Sequence, residues 1–75
     1  MGKSNINNNI RKLRFLNGEM TQQELAEKVG VTRQTIIAME QEKYSPSLEL
    51  AFKISLVFAT PLEEVFSYTP DTGKN

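Results

Sequence analysis

Arg33, Gln34 and Thr35 are three consecutive polar side chains, and the first two carry hydrogen-bonding groups in a pattern that matches base edges. The arginine fork donates two parallel bonds to an acceptor pair such as guanine O6 and N7. The glutamine amide both donates and accepts, which suits adenine N6 and N7, and each such pair discriminates by about 1–3 kcal/mol. Ile37 and Ala38 stand one turn further on, where contact with a thymine methyl is the available chemistry. On an isolated helix these polar residues would simply be solvated. What gives them meaning is the element that presents them.

That element is the third of five helical segments whose ends are legible from their caps. Thr21, with Glu24 three residues on, forms a capping box ahead of a helix that turns Leu25, Ala26 and Val29 inward and stops at Gly30. Thr32 caps the next helix, which runs to about Gln41 and buries Ile36 and Met39. Only Gly30-Val31-Thr32 separates the two. Helices joined so tightly, at roughly 90–120°, form a helix-turn-helix whose second helix can enter a major groove. The crossing needs a small residue at the contact, here Ala26, and a turn residue free of Cβ strain, here Gly30. It also needs an apolar wedge, supplied by Leu25, Val29, Val31, Ile36 and Met39.

Around this unit, Ile6, Ile10, Leu13 and Leu16 share one face of a first helix expected over about 5–16, ended by Asn17-Gly18. Lys43-Tyr44-Ser45-Pro46 is a loop. Ser47 caps a fourth helix that is apolar nearly all round, from Leu48 to Phe58, and is therefore expected to be buried on more than one side. Thr60-Pro61-Leu62-Glu63 opens a short fifth helix, with proline at the first helical position and a second capping box. The Asn7-Asn8-Asn9 run reads only as a short low-complexity stretch. No strand is required, so the expected fold is all-α, with one domain over 5–68 between a flexible 1–4 and a frayed polar tail, 69–75.

Composition bounds the rest. A 75-residue chain makes one domain with a modest core, which dimerisation would supplement. Without cysteine or histidine there is no disulfide, no thiolate metal site and no imidazole base, so an enzyme, a metal and a cofactor are not expected. No apolar run is long enough for a membrane span and none marks an export signal, which points to the cytoplasm. The formal net charge is zero but unevenly spread: residues 1–43 carry +2 and residues 44–75 carry −2. A nucleic-acid surface built on so little charge would hold DNA weakly in general and depend on a few specific contacts.

Thr21-Gln22-Gln23-Glu24-Leu25-Ala26 and Val31-Thr32-Arg33-Gln34-Thr35-Ile36, with the continuation Met39 to Leu48, resemble the Cro/repressor-type helix-turn-helix family over residues 6–68. The resemblance implies a five-helix, lambda-repressor-like DNA-binding domain of a small prokaryotic transcriptional regulator, most often a repressor that binds a palindromic operator as a homodimer. It implies base contacts from Arg33, Gln34 and Thr35, supported by Ile37 and Ala38. Phosphate contacts would come from Thr21, Gln22, Gln23 and Thr32, and from Lys43, Tyr44 and Ser45. Arg14 and Glu40 match a pair that forms a salt bridge from the first helix to the third. Arg11 and Lys12 read as solvent-facing. The chain departs from the family at Gln41-Glu42, where many relatives have Asn-Gly, a pair suited to the left-handed end of a helix.

Phe58, Val65, Phe66 and Tyr68 allow two readings: they close the single core, or some of them form a self-complementary dimer patch. The favoured reading places a dimer on the fourth and fifth helices. The partner is then double-stranded DNA, with no membrane and no small-molecule ligand. The alternative is a protein-interaction module on the same fold, such as an antitoxin or a coregulator-binding domain.

Overall fold

In the computed structural model, which describes residues 5–70, the caps read from the sequence set most of the helix ends. The order is β1 (Ile6–Asn8), α1 (Ile10–Leu16), α2 (Gln22–Val29), α3 (Arg33–Glu40), α4 (Leu48–Phe58), α5 (Leu62–Val65) and β2 (Phe66–Tyr68). At α2 the capping box closes, with Thr21 Oγ1 accepting from Glu24 N at 3.0 Å and Glu24 Oε1 accepting from Thr21 N at 2.8 Å. Thr32 Oγ1 accepts from Thr35 N, and Ser47 Oγ from Leu50 N. Gly30 ends α2 at φ 80°, the left-handed conformation that a side chain resists. Ile10, Leu25, Ile36, Met39, Ile54 and Val65 are fully buried and bring all five helices onto one core.

Several sequence expectations give way. The fold is not purely helical: β1 pairs antiparallel with β2, Ile6 opposite Tyr68 and Asn8 opposite Phe66. The first helix therefore begins at Ile10 rather than near Asn5. Its start is fixed by Asn8, whose Oδ1 accepts from Ile10 N at 3.1 Å, and by Asn9 N, which donates to the Val65 carbonyl at 2.9 Å. Ile6 thus leaves the helical face, and Leu16 at the other end of that face is exposed. Near the end of the described residues, Thr69 N donates to the Asn5 carbonyl and its hydroxyl bonds the Asn7 side chain. Expectations for 1–4 and 71–75 lie outside the described residues.

The second capping box does not form. Thr60 Oγ1 instead donates to the Phe58 carbonyl at 2.9 Å, and Pro61 stands at the N-cap of α5 without a side-chain cap. Nor is α4 buried on every side. Leu50, Ala51, Ile54, Ser55 and Phe58 face the core, while Leu48, Phe52 and Leu56, at four-residue spacing, remain exposed along one flank. Of the four apolar residues offered for a dimer, Phe58 and Val65 are spent closing the core of the single chain. Phe66 is half-buried and Tyr68 exposed.

Candidate nucleic-acid interface

The local sequence makes α2 and α3 independently, and side chains from elsewhere fix their relation. Arg14, on α1, is the principal tie. Its Nε donates to Glu40 Oε2 at 2.6 Å, its Nη2 to Glu40 Oε1 at 3.1 Å and its Nη1 to the Met20 carbonyl at 2.7 Å. Gln22 Nε2, at the start of α2, also donates to Glu40 Oε1 at 3.1 Å. One carboxylate at the end of α3 is thus held from both α1 and α2. The pair is 14% and 9% exposed, so water screens it little.

A second set of ties comes from the asparagine run, which sequence reading passed over. Asn8 Nδ2 donates to the Met39 carbonyl at 2.7 Å, adding a second donor to an acceptor in the last turn of α3. Asn7 Nδ2 reaches Glu42 Oε2 at 3.1 Å. At the departure from the family pattern, Glu42 itself takes the left-handed conformation, φ 62°, with Gln41 right-handed before it. Lys43 N donates to the Ala38 carbonyl and Glu42 N to that of Met39, both at 2.9 Å. These two bonds are the Schellman closure normally built on glycine. Here glutamate adopts it, and Asn7 anchors its carboxylate.

With the scaffold in place, the distribution of free groups is informative. Arg33 and Gln34 are exposed, and neither has a side-chain partner among the described residues. Thr35 differs, being half-buried with its hydroxyl 3.1 Å from that of Thr32, so it also serves the cap. Ile37 and Ala38 are half-buried beside it. At α2, the N–H groups of Gln22 and Gln23 find no acceptor among the described residues, as the first turn of a helix leaves them. The Gln22 side chain is committed to Glu40, and that of Gln23 to Glu27 on the same helix at 3.0 Å. Lys43, Tyr44 and Ser45 are all exposed in the loop after α3.

A cleft of about 880 Å³ runs between α1, the start of α2 and α3, with Arg11, Gln23, Arg33 and Ile37 among its walls. A model of the helix-turn-helix family matches residues 10–65, the span of α1 to α5. The chain belongs to the helix-turn-helix family. An uncharacterised HTH-type transcriptional regulator of Methanocaldococcus jannaschii is 48% identical over 66 residues, which cover 88% of this chain and 98% of that relative. The HTH-type transcriptional regulator YgzD of Bacillus subtilis is 46% identical over 61 residues, covering 81% and 91%. Among solved structures, the N-terminal DNA binding domain of SinR from Bacillus subtilis superposes with a TM-score of 0.64 at 29% identity, over 72% of this chain and 78% of that one. The transcriptional regulator VanUg shares the fold alone, with a TM-score of 0.67 at 19% identity over 89% of this chain and 88% of that one.

Proposed function

We propose that this helix-turn-helix chain binds double-stranded DNA sequence-specifically as a transcriptional regulator, with α3 in the major groove. The observation that carries the reading is the pairing of an immobilised helix with unengaged tips. α3 is fixed at its end by Arg14, Gln22 and Asn8, whereas the Arg33 and Gln34 side chains at its start have no partner among the described residues. Unspent donors on a rigid element are what base readout requires, since the backbone that carries them is already ordered and only side-chain rotamers remain to be fixed. The N–H groups at the start of α2, without an acceptor among the described residues, suit a backbone phosphate.

In this reading the chain acts as a repressor and binds a palindromic operator as a dimer, its half-sites about 34 Å apart. Phe66 and Tyr68 on β2 are the surface candidates for the contact, joined by Ile6 and Leu62 around a shallow hollow of about 270 Å³. Selection from a random duplex library at two salt concentrations tests the proposal. Recovery of a symmetric site supports it. Retention of no sequence above background would refute specific binding.

The rival protein-interaction reading draws on one feature, the exposed stripe Leu48, Phe52 and Leu56 on α4. Contiguous apolar surface of that kind marks protein contacts more often than DNA contacts. A stoichiometric partner that binds through this stripe while low-salt DNA binding is absent would favour it.

A further inference from the structure

Three arginines border the cleft beside α3, and they are not equivalent. Arg14 is fully engaged with Glu40 and the Met20 carbonyl. Arg33 sits at the start of the reading helix. Arg11 lies three residues before Arg14, one turn back along the same face of α1. Its side chain is exposed and has no hydrogen bond or ion pair among the described residues. It lines the same open cleft as Arg33, Gln23 and Ile37, and on its other side a smaller hollow shared with Lys12 and Phe15. Two acidic groups face this space as well. Glu40 is neutralised by Arg14, and Glu19 is exposed at the rim, so the cleft keeps a net positive charge.

We propose that Arg11 is an additional phosphate anchor, extending the DNA contact from α2 and α3 onto α1. The proposal rests on the duplex-binding reading above. The cleft already presents the N–H groups of Gln22 and Gln23, which have no acceptor among the described residues, and the positive end of the α2 dipole. The exposed Arg11 guanidinium, lining the same cleft, supplies what those groups lack, a full charge with forked donors that match phosphate oxygens. Because phosphate carries no sequence information, Arg11 contributes affinity and salt dependence, while Arg33 and Gln34 contribute selectivity.

The test compares Arg11→Ala, Arg11→Lys and Lys12→Ala with the parent protein on the selected duplex and on a scrambled one, across a salt series. Lys12 is the control for mere charge: it is one residue on, turned about 100° away, and absent from the cleft. Arg11→Ala is expected to flatten the slope of log K against log salt by about 0.9 on both duplexes alike. Between 50 and 200 mM salt, its affinity then falls roughly 3-fold less than that of the parent. Arg11→Lys should restore most of the slope, Lys12→Ala should leave it nearly intact, and melting temperature should not move. An unchanged slope in Arg11→Ala, on a parent that binds and discriminates, overturns this proposal while leaving duplex binding standing. An equal effect from Lys12→Ala also overturns it, in favour of a diffuse field. If the parent binds neither duplex at low salt, the duplex-binding reading falls and takes this proposal with it.

Discussion

Replacing Arg14 by methionine keeps much of the side-chain volume and removes only the fork that ties α1 to α3. The consequence follows from what is left behind. Glu40 loses two donors, at 2.6 and 3.1 Å, and the Met20 carbonyl loses one at 2.7 Å, while the carboxylate stays only 9% exposed. An unpaired charge so little exposed costs about 3–5 kcal/mol. Gln22 still donates to Glu40, which places Arg14→Met at the lower end, about 3 kcal/mol. For a domain of this size that lowers the melting temperature by about 12–24 °C. Glu40→Leu strands the guanidinium instead, which is only 14% exposed, and costs about 3 kcal/mol. The double variant Arg14→Met/Glu40→Leu has no charge left to strand, and apolar replacement of such pairs is often nearly neutral, so it should lose only about 1 kcal/mol. Urea unfolding of the four proteins, followed by far-UV circular dichroism, measures the cycle. Single losses below about 1 kcal/mol, or a double variant equal to the sum of the two singles within about 0.5 kcal/mol, would refute the reasoning.

Gly30→Ala should destabilise by about 1–2 kcal/mol through backbone strain alone, since φ is 80° while an added Cβ would meet nothing within 4 Å; chemical denaturation checks it, and a neutral result would place the turn elsewhere in conformational space. Asn8→Ala removes both the bond to the Met39 carbonyl and the acceptor for Ile10 N, and should cost about 2 kcal/mol. Asn8→Asp keeps the acceptor for Ile10 N but sets a carboxylate oxygen against the Met39 carbonyl, so in the same titration it should recover little or none of that loss. In an Asn7→Ala background, Glu42→Gly should gain about 0.5–1 kcal/mol, because left-handed strain is relieved and no side-chain bond remains to be lost. A loss of stability there would show that Glu42 has a role beyond its tie to Asn7.

The parts of the fold that sequence reveals are those written locally. Thr21 with Glu24, Thr32 and Ser47 announce their helices within four residues, and Gly30 announces the turn, so α2, α3 and α4 fall where their caps put them. The sheet was not legible for the opposite reason. Ile6 pairs with Tyr68 across 62 positions; β1 is Ile-Asn-Asn, without a strand-forming composition, and β2, Phe-Ser-Tyr, is too short for its alternation to register. Once the sheet is seen, the asparagine run has a purpose at every position: Asn7 to Glu42, Asn8 to Met39 and Ile10, Asn9 to the Glu64 carbonyl. Helical periodicity overreached in the same region, counting Ile6 and Leu16 into a face that only Ile10 and Leu13 complete.

At the interface the division is similar. Arg33 and Gln34 stood out because polar residues at the start of a capped helix after a tight turn have an evident destination. The commitment of Gln22 to Glu40 and the place of Arg11 beside α3 depend on how α1 lies across the other helices, which no local pattern records. A signal for Arg11 was nevertheless present. It is one turn from Arg14, and whichever face of α1 reaches Glu40 must carry Arg11 alongside.

The central claim is that discrimination resides in Arg33 and Gln34 on a scaffold that does not need them. Its most direct test is a pair of fluorescence-anisotropy titrations, on the selected operator and on a scrambled duplex, for the parent and for Arg33→Ala/Gln34→Ala. Melting temperature and binding to the scrambled duplex should match the parent's. The operator-to-scrambled affinity ratio should collapse by about 30-fold or more, from at least about 1 kcal/mol lost at each residue. A double variant that retains the parent's ratio would contradict the claim.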